Sequence, residues 1–141
     1  MEAIILAGGL GTRLRSVVSN VPKPMAPINN KPFLEYLLKY WISQGVSRFI
    51  LSVGYKHRCI INYFGSRFDN INIEYVIEDK PLGTGGALLE SVKKIHSTDP
   101  FVLINGDTFF QVQLKKLMKF HLCKNSSITV SLFKSKNFKR Y

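Results

Sequence analysis

The stretch Ala3-Ile4-Ile5-Leu6-Ala7-Gly8-Gly9-Leu10-Gly11-Thr12-Arg13 decides how the rest of the chain is read. Its first half is a short apolar run that suits a buried strand. Three glycines in the next four positions let the chain turn sharply and leave backbone N–H groups free to face an anion. Thr12 adds a hydroxyl, and Arg13 a planar guanidinium that can take two phosphate oxygens at once. Strand, glycine loop and cation together point to a phosphate site. For the glycines taken alone, a tight turn with a solvated arginine is the plainer alternative.

Two common nucleotide cradles do not fit this loop. A dinucleotide fingerprint needs a third glycine where the chain has Leu14. The acidic residue that would hold a ribose after the second strand is missing too, because Phe49-Ile50-Leu51-Ser52-Val53 runs into Gly54-Tyr55-Lys56. No Gly-Lys-Ser/Thr follows at Walker A spacing.

The 141 residues suffice for one domain with a real core, 45% of them being apolar. Nothing resembles a membrane span or a signal peptide. Cys59 and Cys123 are far apart without a CxxC, and His57, His96 and His121 are scattered, a pattern that argues against zinc. A soluble, cytoplasmic chain with reduced thiols is expected. Twenty Lys and Arg stand against nine Asp and Glu, and no acidic residue follows Asp107. A net charge of +11 suits anionic ligands. The basic residues form neither an arginine-rich run nor an aromatic RNA-binding motif, so solvated lysine faces are the preferred account and no nucleic-acid partner is expected.

Further along, Pro22-Lys23-Pro24 brackets one ammonium with two prolines, which stiffens the backbone that presents it. A rigid linker with an exposed lysine is the alternative. Apolar periodicity predicts helices over 32–44, 56–64, 85–94 and 114–124. Apolar or alternating runs predict strands over 48–53, 71–77, 101–104 and 127–133, the last with Ile128, Val130 and Leu132 on one face. Strand and helix alternate, which argues for a mainly parallel α/β sheet covered by helices on both faces. If the strand at 101–104 lies beside the first, the loops 8–13 and 106–110 open onto one crevice. Asp107, after Asn105-Gly106, could there approach a metal ion that bridges phosphates, although Asn-Gly-Asp alone is a turn signal. Pro81-Leu82-Gly83-Thr84-Gly85-Gly86 leads glycines straight into a helix, so backbone can approach a ligand there.

Leu6–Leu14, Pro22-Lys23-Pro24-Met25, Pro81–Gly86 and Asn105-Gly106-Asp107, in this order and spacing, resemble the sugar-1-phosphate nucleotidylyltransferase family. The likeness is greatest to its heptose-1-phosphate guanylyltransferases, then to mannose-1-phosphate guanylyltransferases, and it covers nearly the whole chain. It implies a Rossmann-like, three-layer α/β/α fold of glycosyltransferase-A type. The implied reaction joins a nucleoside triphosphate and a sugar 1-phosphate into a nucleotide sugar and pyrophosphate, for surface polysaccharides. By the same likeness Arg13 holds the leaving pyrophosphate, Lys23 neutralises the α-phosphate and Asp107 binds Mg2+. Leu6, Ala7, Gly8, Gly9, Gly11, Thr12, Glu78 and Gly83 fall at nucleotide-binding positions, Leu6, Gly8, Glu78 and Gly83 against base and ribose.

Glu78 adds a base. Guanine presents two adjacent donors that one carboxylate can accept together, whereas uracil and thymine present one donor between two acceptors, so GTP is expected. An exposed glutamate, with the base read by backbone alone, is the alternative. The family pattern has a further sugar-binding segment and a second metal-binding aspartate. Residues 1–141 are therefore expected to be the nucleotide-binding portion of the domain without its sugar-binding portion, with turnover impaired. A non-catalytic nucleotide-binding remnant is the competing expectation. The sugar is not legible, no membrane partner is expected, and a homo-oligomer stays open.

Overall fold

The computed structural model describes residues 1–9 and 21–134. In chain order its elements are β1 (Glu2–Ala7), one 3₁₀ turn (Lys23–Met25), β2 (Pro27–Ile28), β3 (Lys31–Pro32), α1 (Phe33–Ser43), β4 (Arg48–Val53), α2 (His57–Phe64), β5 (Arg67–Phe68), β6 (Ile71–Ile77), α3 (Gly83–Val92), β7 (Val102–Asn105) and α4 (Leu114–Cys123). Two compact units result, Met1–Phe109 and Phe110–Tyr141.

The first unit is built on a five-stranded sheet of order β5-β6-β4-β1-β7. β1 pairs in parallel with β4 and with β7, and β4 in parallel with β6; only the short β5 is antiparallel. The sheet is mainly parallel, as the alternation of strands and helices requires. Ala3, Ile4 and Ile5 of β1 and Phe49, Ile50, Leu51 and Val53 of β4 are completely buried. Successive strand residues point to opposite faces, so both faces of the sheet centre are covered. α1 adds Leu34, Leu37, Leu38 and Trp41 to this core, and α3 packs on β1, β4 and β6. Among the described residues, no helix is long and apolar enough to cross a membrane.

Two side-chain networks fix the frame away from the strands' carboxyl ends. At the amino ends, Arg48 on β4 pairs with Glu2 on β1 and with Glu74 on β6, and Glu2 also accepts the backbone N–H of His96 at 2.9 Å and of Ser97 at 2.8 Å. Near α1, the buried Glu35 accepts from Tyr63 Oη at 2.6 Å, Lys39 at 2.9 Å and Lys31 at 3.1 Å. The Tyr63 hydroxyl first, then Lys39 and Lys31, outweigh burial and hold its carboxyl down to about 2.

Several expectations need correction. Residues 127–133 form no strand; Ile128, Val130, Leu132 and Phe133 are instead exposed. The alternation is there, but no described strand pairs with this segment, and a strand without a ladder partner is not stable. α3 begins at Gly83 rather than Gly85, and it ends at Val92 rather than Lys94. Glu78 Oε2 accepts the Leu82 N–H at 3.1 Å, satisfying a donor just ahead of the helix that no local side chain caps. Two hairpins were not anticipated: β2–β3 turns through Asn29 and Asn30, and β5–β6 through Asp69 and Asn70. All four turn residues have positive φ, the backbone that a two-residue hairpin of right-handed twist demands.

Candidate functional site

The sheet order reverses at β1, where the chain leaves toward β4 and β6 and later returns to the other side as β7. Loops after the strands diverge at such a point and leave a crevice beyond the carboxyl ends. Here it is a cavity of about 350 Å³, and four separate segments line it. Leu6, Ala7, Gly8 and Gly9 come from the end of β1 and the loop after it, and Lys23 and Pro24 from the 3₁₀ turn. Glu78 and Pro81 come from the β6–α3 connection, Gly83, Thr84 and Ala87 from the α3 it enters, and Asn105 and Asp107 from the end of β7 and the turn after it. The expected adjacency of β7 and β1 is realised, with Leu6 opposite Asn105. Leu6, Ala7, Gly8, Gly9, Lys23, Glu78, Gly83 and Asp107 thus meet at one place. Gly11, Thr12 and Arg13 lie outside the described residues.

Glu78 is held over the floor of this cavity. Its Oε1 accepts the hydroxyl of Ser52 at 2.7 Å, and its Oε2 accepts the Leu82 N–H. A Cβ on Gly8 would lie 2.9 Å from Glu78 Cδ and closer still to Oε1, and a Cβ on Gly54 would lie 2.9 Å from the Gly8 carbonyl oxygen. Glycine at both positions lets the backbone pass under the carboxylate. Neither Ser52 nor Gly54 was singled out from the sequence. The usable signal was a serine inside the apolar run Phe49–Val53, since a fully buried hydroxyl must find a partner.

The opposite wall carries charge. Lys23 Nζ and Asp107 Oδ2 are 2.7 Å apart, and Asp107 Oδ1 accepts from Thr108 Oγ1 at 3.1 Å. Gly106 donates its N–H to the Leu6 carbonyl at 2.8 Å; a Cβ there would meet that oxygen at 2.9 Å, so the turn before Asp107 packs tightly on β1. Gly83, at the start of α3, has φ +68°, a backbone that glycine tolerates best, and with Thr84 it brings the first turn of the helix to the cavity.

The donor set also bears on a divalent cation. No cluster of three or more His, Cys, Asp or Glu side chains occurs among the described residues. Glu78 is tied to β4 and to the start of α3 through Ser52 and the Leu82 N–H. The Asp107 side chain is 40% exposed and its partners are the partly exposed Lys23 and its neighbour Thr108, so Asp107 is the carboxylate that can turn to a cation. One carboxylate fits a Mg2+ ion that gains its other ligands from phosphates and water, not a cage made by protein alone.

A model of the nucleotidyl transferase family matches residues 2–141. Over all 141 residues the sequence is 53% identical to the D-glycero-alpha-D-manno-heptose 1-phosphate guanylyltransferase of Aneurinibacillus thermoaerophilus. It is 49% identical to the protein of the same name from Campylobacter jejuni. The chain spans 61% of the length of each of these curated relatives. HddC from Yersinia pseudotuberculosis, solved in complex with GMP-PN, superposes with a TM-score of 0.76 at 45% identity, over 86% of this chain and 54% of that one.

Proposed function

Because the chain belongs to the nucleotidyl transferase family, we propose that its cavity binds GTP and serves transfer of GMP to a sugar 1-phosphate, heptose 1-phosphate being favoured. The reading treats residues 1–141 as the nucleotide-binding portion of the domain, working in the cytoplasm on nucleotide-sugar synthesis for surface polysaccharides. The observation that carries it is the Glu78 carboxylate, fixed between Ser52 and Leu82 on the cavity wall. Two donors keep it oriented, and a carboxylate so held matches the adjacent N1–H and N2–H of guanine. In nucleic-acid readout such a bidentate pair is worth about 1–3 kcal/mol of discrimination. The names of the two curated relatives and the GMP-PN bound to HddC agree with this choice of base.

The chemistry asks little of acid–base groups. An oxygen of the sugar phosphate, already ionised at pH 7, attacks the α-phosphorus; the α–β bridging P–O bond breaks and pyrophosphate leaves. Positioning and positive charge do the work. In this reading Lys23 offsets charge at the α-phosphate, Arg13 grips the leaving pyrophosphate, and the amides of Gly8, Gly9 and Gly11 with Thr12 line the phosphate path. Leu6, Gly8 and Gly83 border base and ribose, beside Glu78, and Ala7 belongs to the same nucleotide-binding stretch. Asp107 would hold Mg2+, which when bound supplies charge neutralisation across the phosphate oxygens.

A second reading, nucleotide binding without turnover, draws on the scarcity of carboxylates: among the described residues only Asp107 joins the Ser52-bound Glu78 in lining the cavity. Pyrophosphate release separates the two. The expected result is release from GTP and Mg2+ that depends on one heptose or hexose 1-phosphate, falls with UTP, CTP or dTTP, and is lost in Arg13→Ala and Asp107→Ala. GTP binding without release under any sugar phosphate would favour the second reading; absence of both would overturn the site.

A further inference from the structure

Lys23 and Asp107 are 84 positions apart in sequence, yet at the cavity each is the other's ion-pair partner at 2.7 Å. Both backbones that carry them are anchored. The Met25 N–H bonds to the Pro22 carbonyl at 2.8 Å, Pro24 and Met25 are buried, and Gly106 is pinned to Leu6. The side chains themselves are 33% and 40% exposed, so they can separate without disturbing the fold. Among the described residues, Lys23 is the only cation within ion-pairing distance of Asp107.

This contact sets two demands against each other. A carboxylate oxygen bonded to an ammonium faces a cation that repels an incoming divalent metal. An ammonium bonded to a carboxylate has its charge offset, and that carboxylate repels an incoming phosphate. Either ligand alone must break the pair and leave one partner uncompensated. Both together replace it: the carboxylate turns to the metal and the ammonium to the phosphate.

We propose that Lys23 and Asp107 neutralise each other until both ligands arrive, so that a divalent cation and a triphosphate bind as one coupled unit and each binds poorly alone. The inference rests on the functional reading of the cavity given above. It extends that reading from what binds to how binding is gated. Linkage makes the coupling reciprocal: whatever factor the triphosphate adds to cation affinity, the cation adds to triphosphate affinity.

The test uses the whole chain and its Lys23→Met, Asp107→Asn and doubly substituted forms. Mn2+ is titrated without nucleotide, read by the electron-spin signal of the free ion, and GTP is titrated in EDTA by calorimetry. Thermal melts check that all four fold alike, as the exposure of both side chains leads one to expect. Removing the ammonium frees the carboxylate, so Lys23→Met is expected to take Mn2+ about fivefold more tightly than the unaltered chain, or better, and the double form to lose that gain. In EDTA, Asp107→Asn is expected to bind GTP more tightly than the unaltered chain, by a factor that collapses when Lys23 is also replaced. Equal Mn2+ affinity with and without Lys23, undetectable binding in both included, would overturn the coupling. So would a GTP gain in Asp107→Asn that survives loss of Lys23, since simple charge removal then explains it. If instead none of the four forms binds GTP, with Mg2+ or without, the functional reading itself fails and the coupling falls with it.

Discussion

The carboxylate of Glu78 lies directly against the Cα of Gly8, with no room between them for a methyl group. The residue that follows β1 and the residue that follows β6 are therefore matched in size, and the cavity floor depends on both.

Replacing Gly8 by alanine must push Glu78 aside or lift the loop. Overpacking of this kind typically costs about 1–3 kcal/mol, here concentrated at the cavity. Gly8→Ala is expected to weaken GTP binding about tenfold while the far-ultraviolet circular dichroism is retained. Calorimetric titration of GTP checks it; unchanged affinity would mean that the carboxylate position is immaterial.

Ser52 acts on the ligand only through Glu78. With Ser52→Ala the carboxylate keeps its charge but loses one of its two tethers. The preference for GTP over UTP is expected to narrow by a few-fold, and stability to fall by about 1–2 kcal/mol in denaturant titration. Restored preference in Ser52→Thr, which keeps the hydroxyl, would separate orientation of Glu78 from loss of packing.

Arg48 lies at the other end of the same strands. Removing it in Arg48→Met leaves Glu2 buried without its cation, a change that typically costs about 3–5 kcal/mol. A large drop in melting temperature with GTP affinity unaltered at low temperature is expected. A matching loss of affinity would show that the two ends of the sheet are coupled.

Acid stability follows from Glu35. Its folded-state value, about 2, lies below the ordinary 4.5, chiefly because Tyr63 donates to it and then because of Lys39. A depressed carboxyl stabilises the fold above its ordinary value, and that contribution disappears as pH falls from 4.5 toward 2. Tyr63→Phe removes the largest cause, so the melting temperature at neutral pH is expected to fall, and the further loss of stability between pH 4.5 and 2 to become smaller than in the unaltered chain. Circular dichroism against pH measures it.

Much of this arrangement was legible in the sequence because it rests on local rules. The apolar runs at 3–7 and 49–53 read as buried strands, and Gly8, Gly83 and Gly106 stand where backbone approaches backbone or turns against its usual sense. Lys23, Glu78 and Asp107 were placed by likeness to a family; the strand order then brings them to one cavity. The hairpins at Asn29-Asn30 and Asp69-Asn70 were missed because two-residue strands leave almost no periodicity to read. The turn residues themselves carried the signal. For Ser52 the apolar run marked a buried hydroxyl in need of a partner but not which one, because Glu78 is 26 residues away and meets it only through β4–β6 pairing. The segment 127–133 failed in the opposite direction, since alternation states a preference for a strand but does not supply the neighbour it needs.

The most direct test of the central claim is a pair of calorimetric titrations, GTP and UTP with Mg2+, on the unaltered chain and on Glu78→Gln. The account expects GTP to bind the unaltered chain at least about tenfold more tightly than UTP, and the substitution to remove most of that difference. Equal affinity for the two nucleotides, or a GTP preference that Glu78→Gln leaves intact, would contradict it.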